Sequence, residues 1–293
     1  MPFAGFPTGT LDNGLVRIDY LQRGALRLVH LSLNGGENLF AELPEAGWET
    51  PNGWFHLLGG HRLWAAPEDE RVTYLPEPEE ILEERLSDGV RLTQPLDERS
   101  GLQKCIEIRL AAGEARFSLR HSLLNLGPAP RRVAAWSISQ FKPGGMAALP
   151  QPDDRADAGG YLPNRSLALW PYTRLNDPRL RWLNRYLVVR TDPVPAACKV
   201  GCYHPSGWGA YLHRGVLARK QVEIQPGATY PDLNSALEIY VNQRFLELET
   251  LSPLADLQPG EGIVHEEHWN LRAVPDTADE QTLAELLDQA WPE

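Results

Sequence analysis

The segment RFLELETLSPL (residues 244–254) sets two glutamates two positions apart. On an extended chain such residues share a face, roughly 7 Å apart at Cα, so Glu247 and Glu249 point one way while Leu246, Leu248 and Thr250 point the other. In a cleft, each carboxylate raises the pKa of its neighbour, and one of them becomes competent as a general base near neutral pH. A solvated strand face, paired with Arg or Lys across a sheet, explains the same spacing and on spacing alone weighs more. GGHRLWAAPE (residues 59–68) collects further chemistry. His61 exchanges protons near neutral pH, and Arg62 offers a planar fork to hydroxyls or carboxylates. Trp64 offers a ring face and Glu68 a carboxylate. The two glycines permit positive φ or close backbone approach. A strand-to-loop corner, with Arg62 paired to Glu68, accounts for these residues equally well.

Two other stretches mix aromatic faces with polar tips, as sugar clefts do. LALWPYTRLNDPRL (residues 167–180) contributes Trp170 and Tyr172, and ACKVGCYHPSGWGAYLHRG (residues 197–215) contributes Lys199 and Trp208. Both also read as edge loops whose rings cap the core. Metal chemistry has little support. HEEHW (residues 265–269) is strand-like, so His265 and His268 face opposite ways, and Cys198 and Cys202 have no second cysteine pair to complete a zinc site. No G-x-S-x-G, P-loop or G-x-G-x-x-G occurs, so no cofactor is expected.

The elements that must position these residues are strands. Apolar and other residues alternate through LVRIDYL (residues 15–21), LQKCIEIRL (102–110), ARFSLRHSLLNL (115–126), GAYLHRGVLARKQVEI (209–224) and GIVHEEHWNL (262–271). Turn sequences such as DNG (12–14), SDG (87–89) and QPGA (225–228) separate such runs. Residues 142–164 form the longest pattern-poor run and read as a loop. One segment reads as helix, residues 276–290, with Asp276 or Thr277 as N-cap and Leu283, Leu286, Leu287 and Ala290 on its apolar side. The pattern implies an all-β chain, one large antiparallel sandwich domain over residues 1–275 with a short C-terminal helix in 276–293.

Composition narrows the partners. A formal net charge of −11 over 293 residues argues against nucleic acid and anionic lipid. Three cysteines suit a reducing compartment, and neither a signal-peptide pattern nor a membrane-length apolar run is seen. A cytoplasmic monomer or homodimer acting on a small molecule is the expectation.

Taken together, GGHRLWAAPE, LWPYTRLNDPRL, CKVGCYHPSGWGAYL and LELETLSPLADLQPGEGIVHEEHWNL resemble the uncharacterised bacterial DUF4380 family of the galactose mutarotase-like superfamily, across roughly residues 12–272. The resemblance implies a large antiparallel β-supersandwich with a sugar cleft on its concave sheet. It implies aldose 1-epimerase-like chemistry, in which a glutamate takes the anomeric proton while a histidine protonates the ring oxygen. ETLSP places Glu249 on that glutamate. The superfamily's H-x-Y-F histidine has no counterpart in LNLGPAPRRVAAWSISQF (residues 124–141), so the resemblance implies either His61 as a displaced acid or no acid at all. Arg62, Glu68, Trp170, Tyr172, Lys199, Trp208, Lys220 and Glu247 would then hold the carbohydrate. Arg62, Lys199 and Lys220 gathered in one cleft would favour an anionic sugar. A non-catalytic sugar-binding protein of the same fold, and an assembly protein, are the rival readings.

Overall fold

The computed structural model describes residues 3–291. Its alternating segments pair into two antiparallel sheets of 11 and 10 strands. The first sheet is centred on Gly53–Ala66, Arg131–Phe141, Leu246–Leu251, Leu237–Val241 and Cys198–Cys202, hydrogen-bonded in that order. The second is centred on Met146–Pro150, Trp208–His213, Val216–Val222, Gly262–Ala273 and Arg116–Asn125. The main apolar core lies between them, where Leu246, Leu248, Ile239, Val241, Val200 and Phe141 of the first sheet meet Leu119, Leu149, Tyr211 and Trp269 of the second. Burying one face of each strand is what the period-2 pattern encodes.

The paired glycines of the first motif are required by geometry. Gly59 and Gly60 have φ of +88° and +72°, and a Cβ on either would stand 2.0 Å from a carbonyl oxygen, of Ala41 and Leu28 respectively. The 14-residue strand Gly53–Ala66 turns here from pairing with Glu42–Thr50 to pairing with Arg131–Phe141.

Two expectations are corrected. The run 142–164 is not all loop, because Met146–Pro150 is a central strand of the second sheet. All five of its residues are buried, so it shows no alternation to read. The helix is shorter than its pattern, spanning Glu280–Ala290, and its N-cap is Asp279 instead of Asp276 or Thr277. The Asp279 carboxylate accepts from the Thr282 backbone N–H at 2.7 Å. Leu283, Ala284, Leu287 and Ala290 pack on the outer face of the second sheet against Tyr186 and Trp208. Asp279→Ala should lower the urea midpoint of unfolding, because the Thr282 N–H loses its acceptor. An unchanged midpoint would show that the packed face alone fixes the helix start.

Among the described residues no helix is long and apolar enough to cross a membrane.

Candidate functional site

Register across the first sheet assembles a cleft on its outer face. Ile138 lies opposite Arg62 on one side and Glu249 on the other, and Glu249 lies opposite Glu238. The neighbouring row runs Gly60, Gln140, Glu247, Tyr240 and Lys199. Five strands thus bring charged side chains from distant segments onto one surface.

Lys199 is the centre of this surface. Its ammonium lies 2.8 Å from Glu238 Oε2 and 2.9 Å from Glu249 Oε2. It also faces the rings of Trp136 and Trp170, 4.6 Å from each centroid. Trp136 Nε1 donates to the same Glu249 oxygen at 2.6 Å. Arg62 forms a second unit. Its guanidinium stacks 4.0 Å over Trp64 and donates through Nη2 to Glu247 Oε1 at 2.9 Å, an oxygen that Gln140 Nε2 also reaches at 2.8 Å. Tyr74 donates to Glu68 at the rim. Arg62 Nε and Nη1, Gln140 Oε1 and Glu249 Oε1 are buried without a partner. Two adjoining cavities of about 520 and 510 Å³ open above these groups, sharing Trp48, Glu68, Tyr74, Trp136, Trp170 and Lys199 in their walls.

Burial works against the Lys199 ammonium, but Glu238 and Glu249 outweigh it and hold its pKa well above the ordinary lysine value. Burial pushes Glu238 well above the carboxylate range, against the pull of Lys199. Glu247 is raised by burial too, with Arg62 opposing and Glu249 adding to the rise. Burial likewise raises the Tyr172 hydroxyl.

The structure therefore brings together Glu249, Glu247, Arg62, Glu68, Trp170, Tyr172 and Lys199. It separates three others. His61 neighbours Arg62 on an extended strand, so it points to the opposite face, into the sandwich interior, where it is fully buried. It cannot stand across a ligand from Glu249. Lys220 belongs to the second sheet and is also fully buried between the sheets, paired to Glu267 at 2.9 Å. Trp208 lies on the far side of the second sheet, packed with Tyr186 and the C-terminal helix. Trp136, Gln140, Glu238 and Tyr74 were not singled out by the sequence. For Trp136 and Gln140 a signal existed, since in AAWSISQF they stand four positions apart and so share one face of an extended strand with Ile138.

His61 instead joins a buried network. Its Nδ1 lies 2.8 Å from Ser139 Oγ and its Nε2 lies 2.8 Å from His121 Nε2. His121 Nδ1 donates to the His265 carbonyl at 3.0 Å, so in a neutral ring its Nε2 accepts from His61. Thr250 Oγ1 donates to Glu267 Oε1 at 2.6 Å and lies 2.7 Å from His265 Nε2. Ligand atoms of His61, His121 and Glu267 fall within 4.8 Å of one another. They do not fit a metal, because Lys220, Thr250 and Trp269 already occupy the Glu267 oxygens and the two imidazoles bond to each other. His265 does face away from His268, as the strand reading required: it is buried, whereas the His268 side chain is 68% exposed.

No family model matches the sequence, and no curated protein matches it, so the DUF4380 likeness rests on the quoted motifs alone. Solved structures do match. A TPR-domain-containing protein from Parabacteroides distasonis superposes with a TM-score of 0.65 at 12% identity, over 93% of this chain and 48% of that one. This chain thus spans about half of that protein's length. A galactose mutarotase-like protein from Lactobacillus casei matches with a TM-score of 0.54 at 11% identity, over 91% of this chain and 100% of that one. A galactose mutarotase related enzyme from Lactobacillus acidophilus gives 0.53 at 9% identity, over 93% and 100%. At such identities the likeness speaks for architecture only. The chain has the galactose mutarotase-like sandwich fold, with its conspicuous cleft on the outer face of the larger sheet.

Proposed function

We propose that the protein binds a carbohydrate in this cleft. The observation that supports this most is Arg62, which is 2% exposed, lines the cavity, and keeps Nε and Nη1 without partners. Leaving such donors unmet is costly, and the hydroxyl oxygens of a sugar satisfy them. The surrounding indole and phenol rings suit the apolar faces of a pyranose.

A second reading, aldose 1-epimerase chemistry with Glu249 as base, is favoured by the unpartnered Glu249 Oε1. It also needs an acid, and no histidine lines either cavity. Lys199 and the phenols of Tyr74, Tyr172 and Tyr240 are the proton-bearing groups there. The missing acid weights the balance toward binding without turnover, since general acid catalysis contributes typically about 10²–10⁴-fold.

Saturation-difference NMR against aldoses, with anomeric exchange followed in the same samples, tests both. Binding is expected, with exchange at the background rate. Trp170→Ala should weaken binding about tenfold, the worth of one ring contact of roughly 1.4 kcal/mol. Accelerated exchange that Glu249→Gln abolishes would establish the epimerase instead. Silence from every sugar would remove both.

A further inference from the structure

The cleft has a sign as well as a shape. Its outer cavity is walled by four rings, Trp48, Tyr74, Trp136 and Trp170. Four carboxylates also line it, Glu49, Glu68, Glu70 and Asp232. Among the described residues, none of these four is in an ion pair with a cationic side chain; Asp232 is hydrogen-bonded to Glu238 and Glu68 accepts from Tyr74, so Glu49, Glu68 and Glu70 carry the charge of the rim. The one cation in the wall is Lys199, and Glu238 and Glu249 already match it at 2.8 and 2.9 Å. Deeper in, Arg62 is matched by Glu247. Aromatic faces carry negative potential, and unpaired carboxylates add to it, so the cavity attracts a cation and repels an anion. Lys199 demonstrates the geometry, with its own ammonium held over two of these indoles. Charge alone would not define a ligand, but the unpartnered, buried Nε and Nη1 of Arg62 call for hydroxyl acceptors in the adjoining part of the same cleft.

We propose that the cleft selects an aldose carrying a protonated amino group, with ring hydroxyls on Arg62 and the ammonium among the rings and carboxylates of the outer cavity. The inference rests on the carbohydrate reading and deepens it. It reverses the expectation of an anionic sugar, which depended on three free cations in one place. Lys220 lies in the interior, and Arg62 and Lys199 are neutralised where they stand.

The test is calorimetric titration of the full chain with glucosamine, glucose and glucuronate, at low salt and about pH 6, where the amine is charged. Tetramethylammonium serves as a probe that is not a sugar. Glucosamine should bind about tenfold more tightly than glucose, and glucuronate more weakly than either. Half-molar salt should shrink the glucosamine preference, because Glu49, Glu68 and Glu70 are exposed and screened. The double variant Glu68→Gln/Glu70→Gln should cut it at least about threefold. Glucose and glucosamine bound alike, or glucuronate bound best, overturns the charge argument and leaves the carbohydrate reading standing. Tetramethylammonium bound with silence from all three sugars overturns the proposal through the carbohydrate reading itself.

Discussion

Lys220→Met lowers the free energy of unfolding by about 3–5 kcal/mol, the cost of breaking a buried ion pair by removing one partner. Lys220 and Glu267 are each 0% exposed, and their charged atoms stand 2.9 Å apart between the sheets. Burial opposes the Glu267 carboxylate, yet the Lys220 ammonium together with His121, His61 and His265 outweighs that penalty and holds its pKa well below the usual range. Burial draws the Lys220 pKa down, and Glu267 restrains the fall. Methionine keeps most of the side-chain volume, so the loss is electrostatic and not a cavity effect. Lys220 Nζ also donates to the Leu248 carbonyl at 3.0 Å, and Thr250 on the same strand donates to Glu267. The residues on either side of Glu249 are thus tied to the buried pair. Urea denaturation gives the single-variant loss, and Lys220→Met/Glu267→Gln should recover much of it by removing the stranded charge. A single variant within ~1 kcal/mol of the parent would mean that water or a shifted proton already relieves Glu267.

Much of the architecture was legible because it is written in period 2. Leu246 and Leu248 fill the core, while on the opposite face Glu247 lines the cleft and Glu249 lies buried beneath Lys199 and Trp136, as alternation demands. The same rule speaks against His61 as partner to Glu249. His61 and Arg62 are adjacent on one strand, so only one of them can face the cleft, and Arg62 does. Which face that would be was not legible, because it depends on the pairing Ile138↔Arg62 and Ile138↔Glu249 across strands far apart in sequence. Polar residues at inward positions were the other obstacle. His121, His265 and Glu267 sit where alternation expects apolar side chains or a solvated face, and only the second sheet closing over them makes them a core network. Lys220 and Trp208 failed for a related reason, since their strands belong to the opposite sheet from Lys199.

The histidines of that network make the fold sensitive to acid. Burial lowers the pKa of His61, His121 and His265, with His265 brought down to about 3. A group whose folded pKa lies below its unfolded value of about 6.5 takes up its proton first in the unfolded chain. Acidification below that value therefore favours unfolding, at up to about 1.4 kcal/mol per pH unit for each such histidine. Glu238 and Glu247 work the other way, because burial raises them and the folded chain takes their protons first as pH falls. The net profile mixes the two signs, so one histidine must be isolated. His265→Gln does this. Glutamine keeps a donor in reach of Thr250 Oγ1, where His265 Nε2 stands at 2.7 Å, and removes the titrating ring. Between about pH 4.5 and 6 the variant's unfolding free energy should fall less steeply than the parent's, by about 1.4 kcal/mol per pH unit. At pH above about 7 the two slopes should coincide, since neither state protonates that ring there. Equal slopes across the acid range would place the His265 proton in the folded chain as well, and the interior would then be open to water where the packing closes it.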